Sequence, residues 1–443
     1  MPDPFKAYDI RGLYPQELNE GLAYMVGNAC AHLLKLAGRR FAVGRDMRLS
    51  SPPLKSAFVK GLVYGGAQVV DVGLVSTPAL TFAMHHLHTD GGAQVTASHN
   101  PAPYGGIKIT APGFVPVGAG SGMEEIERFA RAGVPVKVPG GRIAEAFVLD
   151  AYAAFLAALP RPVRPLRIAV DGGNGMVGTI FQHLAPRLSP QIELIPVNMD
   201  PDGRFPAHEA NPLKAENLRQ LQALVKAEGA DFGAGFDGDG DRCALVDEQG
   251  APISCDLATA LMAKAFLARE PGAAVAYDLR SSKVVPEMIR AWGGAPVQTR
   301  VGHSYIKKTL KEHHAVLAGE LSGHYYFRDF HGADSGLYAF LILAGIAATA
   351  PRLSELVAPL RRYHHSGEVN FTVADPVAAM ARVRALPGMQ VEELDGITVR
   401  AREWWCNLRA SNTEPVVRLN LEADTPALMR QKLDEMAALI ARG

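Results

Sequence analysis

Three segments of this sequence follow one plan, and that repeat constrains the fold more than any other feature. Each segment opens with an apolar run that ends in an aspartate: Phe41–Asp46, Arg167–Asp171 and Ala274–Asp278. A helix-like stretch then leads to a second apolar run, and these second runs are Gln68–Val72, Ile192–Val197 and Pro296–Val301. A further helix and a third strand follow. Strands that alternate with helices at this spacing indicate α/β units, so we expect three related domains.

The third strand of each repeat ends in a loop of unusual composition. These loops are TASHN at Thr96–Asn100, DGDGD at Asp237–Asp241 and GELSGH at Gly319–His324. Open α/β sheets bind ligands at the carboxyl ends of their strands. The repeat therefore predicts that these three loops carry the functional groups of the protein.

After Ser366 the pattern changes to one in which strands predominate. Strands are predicted at Glu368–Val373, Gln390–Leu394, Thr398–Arg402 and Val416–Leu421, with helices around Val377–Ala385 and Ala427–Ala441. This is an α+β layout. The predicted fold class is α/β, with three related mixed α/β domains plus a C-terminal α+β domain around a central cleft. The predicted domains are residues 1–145, 146–249, 250–362 and 363–443.

Charge and composition exclude several classes of partner. Lys plus Arg and Asp plus Glu number 45 each among 443 residues, so the chain offers no general field to nucleic acid or to an anionic membrane. Its four cysteines are scattered without metal or disulfide spacing, which is typical of reduced cytosolic thiols. The beginning of the sequence has no secretory pattern, and the most apolar run, Leu337–Ala350, is shorter than a membrane span of about 20 residues. We expect a cytoplasmic protein in which this run is a buried helix.

The segment Thr96–Lys108, TASHNPAPYGGIK, offers a serine that could act as a nucleophile. A strand-like run precedes it, so Ser98 is predicted on an exposed loop just past a strand, with His99 beside it. Glycine and proline are expected to hold the backbone in a turn from which Lys108 reaches back as a cation. A polar turn that happens to contain a serine is the alternative interpretation.

The loop DGDGDR predicts a metal site. Asp237, Asp239 and Asp241 alternate with glycines, and hard cations such as Mg²⁺ and Ca²⁺ take oxygen ligands from such a loop. Three carboxylates this close also repel one another unless a cation lies between them. The alternatives are a surface acidic turn or a Ca²⁺ loop of the EF-hand type. A strand is predicted at Asp231–Phe236, where an EF-hand would have a helix.

Two further loops carry polar groups that suit a phosphorylated sugar. Arg409–Pro415, RASNTEP, offers a guanidinium, hydroxyls and successive backbone N–H groups for a phosphate. In GELSGH, Glu320 and Ser322 suit pairs of sugar hydroxyls, and His324 adds an imidazole. Both loops could also be ordinary polar turns. The glycines of Gly173–Gly178 match a dinucleotide-binding pattern, but that alternative leaves the other loops without a role.

With these loops the chain resembles the α-D-phosphohexomutase superfamily, and within it the phosphomannomutase/phosphoglucomutase group. TASHNP resembles the phosphoserine loop, DGDGDR the magnesium loop, GELSGH the sugar loop and RASNTEP the phosphate loop, in the family order along the whole chain. The resemblance implies an intramolecular phosphotransfer between hexose 1-phosphate and hexose 6-phosphate, of mannose and/or glucose, through a phosphoserine and a 1,6-bisphosphate. It also implies that the four predicted domains, in chain order, carry the phosphoserine, the metal site, the sugar-binding site and the phosphate-binding site.

The resemblance also assigns roles to individual residues. It implies that Mg²⁺ binds Ser98 in its phosphorylated form together with Asp237, Asp239 and Asp241, and that hexose 1,6-bisphosphate is an activator. Charge near the reacting centre is stabilised by Lys108, Arg242 and Arg11, while Lys108, His99 and His324 are the candidates for proton transfer. The implied substrate-binding residues are Tyr8, Arg242, Arg280, Gly302, His303, Glu320, Ser322, Arg409, Ser411, Asn412 and Thr413. Arg280 stands where many relatives have lysine.

Two alternatives to this function stay open at the level of sequence. One is a phosphoglucosamine mutase, although Leu321 stands where those enzymes tend to have glutamine. The other is a non-catalytic protein that binds sugar phosphate or Ca²⁺, since a metal loop alone does not establish catalysis. The oligomeric state and the preferred hexose cannot be read from the sequence.

Overall fold

The computed structural model describes residues 3–159, 162–410 and 416–441. The chain forms two compact units. Unit 1 consists of residues 1–253 and 322–354, and unit 2 consists of residues 254–321 and 355–443.

The first sheet and its helices lie in unit 1. In chain order the elements are β1 (Ile10–Leu13), α1 (Glu20–Leu33), β2 (Arg40–Arg45), α2 (Ser51–Tyr64), β3 (Gln68–Leu74), α3 (Thr77–His86), β4 (Gly91–Val95), β5 (Tyr104–Ala111), β6 (Val115–Pro116), α4 (Met123–Ala132), β7 (Arg142–Glu145) and α5 (Leu149–Ala157). The strand order is β1-β5-β4-β2-β3-β7, with β6 paired to β5.

The segment after Ser98 differs from the expected turn. Tyr104–Ala111 forms β5, which pairs antiparallel with both β4 and β1. Lys108 lies opposite Gln94 in this register. A β-strand therefore fixes the position of Lys108, and the two glycines before it leave room for neighbouring groups. The position of a Cβ on Gly106 is only 2.4 Å from the carbonyl oxygen of Thr96.

Helices α1 and α2 pack closely because each has a glycine at the crossing. A Cβ added to Gly27 would lie 2.1 Å from the carbonyl oxygen of Phe58, and one added to Gly61 would lie 2.0 Å from that of Tyr24. No real Cβ approaches a backbone oxygen so closely. The two helices thus cover the sheet over a core that includes Phe41, Phe58 and Ile107.

The second sheet also lies in unit 1. Its elements are β8 (Leu166–Asp171), α6 (Val177–Leu184), β9 (Ile192–Val197), α7 (Arg219–Glu228), β10 (Phe232–Phe236), β11 (Cys243–Asp247) and β12 (Pro252–Ile253). The order is β12-β11-β10-β8-β9, in which β8 runs parallel to both β10 and β9. The strand predicted before the acidic loop is therefore present as β10.

The third set of elements begins in unit 2 with α8 (Cys255–Arg269), β13 (Ala274–Asp278), α9 (Val284–Ala291), β14 (Ala295–Thr299), α10 (His303–Glu312) and β15 (Leu317–Gly319). Strand β13 pairs parallel with β14 and β15. The chain continues in unit 1 with β16 (Tyr325–Phe327), β17 (Ala333–Asp334) and α11 (Gly336–Ala347), followed by α12 (Leu353–Val357). Helix α11 confirms the buried helix predicted for the most apolar run, and Ser335 caps it by accepting the N–H of Tyr338 at 3.2 Å.

The C-terminal sheet lies in unit 2. Its elements are β18 (His364–Thr372), α13 (Pro376–Arg384), β19 (Gln390–Glu392), β20 (Ile397–Arg400), β21 (Trp404–Ala410), β22 (Val416–Ala423) and α14 (Pro426–Ile440). All neighbouring strands in the order β18-β22-β21-β20-β19 are antiparallel. Helices α13 and α14 contribute Ala379, Met436 and Ile440 to the core of this sheet. The α+β layout predicted for this region is confirmed.

The three repeats share one local arrangement. In each, the first strand (β2, β8 or β13) lies between the other two and pairs parallel with both. The aspartate at the end of this strand, or directly after it in the case of Asp46, then accepts the N–H of the residue two positions later, at 3.0 Å for Asp46, 2.9 Å for Asp171 and 2.8 Å for Asp278. Such a bond turns the chain sharply as it leaves the sheet.

Within the described part of the chain, none of the helices combines the length and the apolar character that crossing a membrane requires.

Candidate active site

Ser98 lies in the loop that follows β4, as the sequence predicts. Its hydroxyl donates to Asp237 Oδ2 at 3.2 Å and lies 3.4 Å from His99 Nδ1. The expectation of an exposed loop was wrong, because Ser98 is only 2% exposed. Its φ of 51° is in the left-handed region, which residues other than glycine rarely adopt. The surrounding structure must therefore hold this backbone in place.

The acidic loop between β10 and β11 brings three carboxylates together. Asp237, Asp239 and Asp241 are buried, and each offers an oxygen within 4.8 Å of the others. Asp237 Oδ1 accepts the backbone N–H of Gly240 and of Arg242, both at 3.1 Å, which closes the loop on itself. Burial, with the charges of Asp241 and Asp239, raises the pKa of Asp237 well above its ordinary value.

Two atoms of this cluster fit a metal ion. Asp239 Oδ1 and Asp241 Oδ1 are buried and have no hydrogen-bond partner among the described residues. A buried carboxylate oxygen without a partner costs free energy, whereas a hard divalent cation binds such oxygens. The acidic triad could therefore hold a metal ion.

Lys108 provides positive charge to the triad. From β5 its Nζ donates to Asp239 Oδ2 at 2.7 Å and to Asp241 Oδ2 at 2.8 Å. Burial acts to lower the pKa of Lys108, but attraction to Asp239 and Asp241 outweighs it and raises the pKa above the ordinary value. Thr77, at the start of α3, also donates to Asp239 Oδ2 at 2.6 Å, a contact that the sequence did not suggest.

His324 is oriented by two charged neighbours. Its Nδ1 lies 2.9 Å from Asp334 Oδ2, while its Nε2 accepts the Nε–H of Arg242 at 2.9 Å. This arrangement requires a neutral imidazole with its proton on Nδ1. Asp241 Oδ1 lies 3.6 Å from the same Nδ1, so the histidine also borders the acidic triad. The sequence pointed to His324 and Arg242 but not to Asp334.

Arg11 and His99 complete the surroundings of Ser98. Arg11, on β1, donates to Asn100 Oδ1 at 2.6 Å and pairs with Asp9, which the sequence did not suggest. The positive charge of Arg242, and then burial, lower the pKa of His99 well below its ordinary value, so His99 is neutral. Tyr8 is half-buried just before β1.

Unit 2 contains a second group of the predicted residues. Arg280 binds Asp278 through two nitrogens, at 3.2 and 2.6 Å, and lies 3.8 Å from Glu320 Oε2. Asp278 also accepts the N–H of Leu321 at 2.9 Å, so one aspartate positions both Arg280 and the sugar loop. Attraction to Asp278 outweighs the effect of burial and raises the pKa of Arg280.

Three arginines lie close to the carboxylate of Glu368 in the same unit. Its carboxylate lies 2.9 Å from Arg409, 3.4 Å from Arg418 and 3.7 Å from Arg280. Burial, and then the nearby Arg280, lower the pKa of Arg409. The sequence identified Arg409 but not Glu368, because a single glutamate within a strand carries no local signal.

The remaining predicted residues are placed as follows. Gly302 has a φ of 118° and caps α10, whose first residue is His303. Ser322 lies in the part of the GELSGH loop that belongs to unit 1, whereas Glu320 belongs to unit 2. Ser411, Asn412 and Thr413 lie outside the described residues.

The glycines that imitate a dinucleotide site support the acidic loop. A Cβ on Gly175 would lie 2.8 Å from the carbonyl oxygen of Gly238. That same carbonyl accepts the N–H of Met176 at 2.9 Å. Gly175 therefore allows the acidic loop to pack directly on the backbone, whereas a Cβ on Gly178 would lie 1.6 Å from the carbonyl oxygen of Met199.

Comparison with known proteins covers nearly the whole chain. Four domain models of phosphoglucomutase/phosphomannomutase match: α/β/α domain I at residues 3–161, domain II at 150–250, domain III at 255–363 and the C-terminal domain at 368–439. The phosphomannomutase of Salmonella montevideo is 39% identical over 98% of each chain. The phosphohexose mutases of Xanthomonas campestris are 40% identical, also over 98% of each chain. A solved phosphoglucomutase/phosphomannomutase family protein from Burkholderia thailandensis is 33% identical, with a TM-score of 0.91 over 99% of this chain and 98% of that one.

Fold and site together define a phosphohexomutase, an isomerase that interconverts hexose 1-phosphates and hexose 6-phosphates. The chain belongs to the phosphoglucomutase/phosphomannomutase family. Family membership confirms the predicted fold class and enzyme class, and it decides against a non-catalytic binding protein.

Proposed function

We propose that this enzyme interconverts the 1- and 6-phosphates of mannose, glucose or both, and carries the phosphoryl group on Ser98. The observation that carries the proposal is the hydroxyl of Ser98 held 3.2 Å from Asp237 at the edge of a buried acidic triad. A phosphoryl group on this oxygen would lie beside the triad and its neighbouring cations. The full-length likeness to phosphomannomutases supports the choice of hexose.

The proposed cofactor is Mg²⁺, held by Asp237, Asp239, Asp241 and one oxygen of phosphorylated Ser98. The two carboxylate oxygens without partners support this ligand set. When bound, the ion neutralises charge on the phosphoryl group in transit. Lys108, Arg242 and Arg11 add fixed positive charge on the protein side of the site.

The transfer itself breaks the bond from phosphorus to Ser98 Oγ and forms one to a free sugar hydroxyl. The proton of that hydroxyl passes to a base, for which His324, His99 and Lys108 remain the candidates. The neutral state of His99 supports it over Lys108, whose proton is held by two carboxylates, and over His324, whose Nε2 already accepts the N–H of Arg242. The product is a hexose 1,6-bisphosphate, which turns over and returns its other phosphoryl group to Ser98. Added bisphosphate would act as an activator by rephosphorylating Ser98.

A further set of the predicted residues is proposed to bind the sugar phosphate. Glu320 and Ser322 would hold sugar hydroxyls, and Gly302 and His303 would contact the substrate near Arg280. Arg409, Ser411, Asn412 and Thr413 would bind the phosphate that is not transferred. The role of Arg409 is supported by the position of its guanidinium, which pairs with Glu368 at 2.9 Å and lies close enough to Arg280 for that second positive charge to lower its pKa.

These roles correspond to four proposed domains: 1–145 for the phosphoserine, 146–249 for the metal, 250–362 for the sugar and 363–443 for the phosphate. We also propose a cytoplasmic location. The four cysteines are buried and none of them is in a disulfide, which suits a reducing compartment, and the proposed substrates are phosphorylated sugars.

Intact-mass measurement with activity assays tests the proposal. The purified wild type should carry one phosphate, which Ser98→Ala should lose together with turnover of mannose 1-phosphate and glucose 1-phosphate. Ser56→Ala, at an exposed serine of α2, should keep both the phosphate and the turnover. Wild-type turnover by Ser98→Ala would exclude the phosphoserine mechanism. Faster turnover of glucosamine 1-phosphate than of either hexose phosphate would favour the phosphoglucosamine mutase alternative.

A further inference from the structure

Arg48 is a buried arginine that no role assigned above accounts for. It follows β2 by three residues and, like Asp46, is 0% exposed. It stands two residues after Asp46, the position that Arg280 occupies after Asp278 in the third repeat. We infer that Arg48 is a positioning residue that holds the loop of Ser98 in the geometry needed for phosphoryl transfer. This inference rests on the proposed function of Ser98.

The guanidinium of Arg48 binds four carbonyl oxygens of a single loop. Its Nη2 donates to the carbonyl oxygen of Ser98 at 2.7 Å and to that of Asn100 at 2.6 Å. Its Nη1 donates to the carbonyl oxygens of Pro101, at 2.9 Å, and Tyr104, at 3.3 Å. The planar fork of arginine can meet several acceptors at once, whereas the single nitrogen of lysine cannot span them.

Asp46 holds Arg48 in place. Its carboxylate lies 3.3 Å from Arg48 Nε, accepts the backbone N–H of Arg48 at 3.0 Å and the hydroxyl of Ser51 at 2.5 Å. The N–H of Ser98 has a different partner, the hydroxyl oxygen of Thr96, which accepts it at 2.9 Å. The carbonyl of Ser98 is therefore connected through Arg48 to Asp46, while its N–H is held by Thr96.

The backbone of Ser98 needs this support. Its left-handed φ of 51° is an unfavourable conformation for serine, and such residues persist only where their surroundings determine them. The same conformation directs the hydroxyl toward Asp237, at 3.2 Å. The neighbours of Arg48 also limit its own movement, since a Cβ on Gly203 would lie 2.6 Å from Arg48 Cα and the ring of Phe205 lies 5.0 Å from its guanidinium carbon.

Unit 1 offers a matched control in Arg164. Its guanidinium also donates to backbone carbonyls, those of Ala350 at 2.9 Å and Pro351 at 3.3 Å, and it pairs with Asp231 at 2.8 Å. None of these partners belongs to the serine or acidic loops. Arg48→Lys and Arg164→Lys thus remove the same kind of contact. The first removes it from the serine loop, and the second removes it from the segment of Ala350 and Pro351.

The test compares Arg48→Lys, Arg164→Lys and wild type at a temperature below the melting transition of all three. For glucose 1-phosphate with bisphosphate present, we expect Arg48→Lys to lower kcat by about 100-fold, because a displacement near 1 Å has an effect of that order. The KM of this variant should stay within about twofold of the wild-type value, because Arg48 contacts no substrate. Arg164→Lys should keep kcat within about twofold of wild type even where its melting temperature falls equally.

The ³¹P resonance of phosphorylated Ser98 provides a second measurement that does not depend on turnover. It should shift or broaden in Arg48→Lys and match the wild type in Arg164→Lys. Wild-type kcat together with a wild-type resonance in Arg48→Lys would overturn the inference, as would equal loss of kcat in both variants. Failure of the proposed function has a different signature, because the wild type would then carry no phosphate on Ser98. If Arg48→Lys does not fold, Asp46→Asn is measured in the same way, with the same expected loss of kcat and the same overturning results.

Discussion

Replacing Lys108 with methionine tests how the charge of the acidic triad is balanced. Lys108 Nζ lies 2.7 Å from Asp239 and 2.8 Å from Asp241, and both carboxylates are buried. Methionine keeps the approximate length of the side chain and removes only its charge. The triad of Asp237, Asp239 and Asp241 then has one cation fewer to offset the mutual repulsion of its carboxylates.

The expected loss of stability depends on whether metal is bound. Removing one partner of a buried ion pair destabilises a protein by roughly 3–5 kcal/mol. Arg242 and His324 remain close to the triad, so we take the lower end, about 3 kcal/mol. For a unit of this size that corresponds to a fall in melting temperature of roughly 6 °C. A bound divalent cation supplies the missing positive charge, so the loss should be clearly smaller in excess Mg²⁺.

The assay is thermal unfolding in excess chelator and in excess Mg²⁺. Lys55→Met is the control, because Lys55 is 8% exposed and pairs with Asp71, a carboxylate outside the triad. Its loss of stability should be the same in both solutions. Mg²⁺ should therefore raise the melting temperature of Lys108→Met by more than it raises that of the wild type or of Lys55→Met.

Two results would refute this reasoning. If Lys108→Met is destabilised equally with and without Mg²⁺, the ion does not balance the charge of the triad. If Lys108→Met is as stable as the wild type in chelator, Lys108 does not stabilise the buried carboxylates in the first place.

Two further predictions concern pH and packing. Burial, and then His331 stacked on it at 3.6 Å, lower the pKa of His85 to about 4 from its ordinary 6.5. Between these values the unfolded chain binds a proton that the folded one does not, so stability falls as the pH falls through this window. His85→Phe should reduce this loss of stability by about 1 kcal/mol, a figure that allows for solvent screening of a half-buried ring. The measurement is urea unfolding as a function of pH. Identical pH profiles for the variant and the wild type would contradict the prediction. The packing prediction concerns Gly27→Ala, which places a Cβ 2.1 Å from a backbone oxygen and should destabilise the protein by about 2–3 kcal/mol. Gly21→Ala is the control, because at this exposed position the Cβ meets only the end of a side chain, at 3.3 Å. Equal melting temperatures for Gly27→Ala and Gly21→Ala would show that α1 and α2 can separate without cost.

Much of the scaffold could be predicted from local sequence. An aspartate ends each central strand or directly follows it, and in all three repeats that aspartate turns the chain by accepting an N–H two residues later. Such turns depend on residues that are close together in the chain, so they can be predicted from the sequence. The three loops after the third strands were predictable for the same reason.

The environment of these loops was not predictable in the same way. Ser98 is polar and lies in a loop, which predicts exposure, but the carbonyls around it are covered by Arg48, which is separated from it by 50 residues. Asp334 and Glu368 have no sequence pattern to mark them, because their roles depend on which arginine or histidine the fold brings to them. Long-range contacts of this kind are decided by packing.

The sequence by itself determined the chemical groups that this protein can use: one serine, three alternating aspartates, and loops rich in hydroxyl, carboxylate and guanidinium groups. Those properties follow from residue type and close spacing. Only the tertiary structure decided which groups meet. Lys108 binds Asp239 across 131 residues of chain because β5 runs antiparallel to β4 and carries the lysine alongside the serine loop. Arg48 could only become part of that arrangement once folding had buried it beneath Ser98.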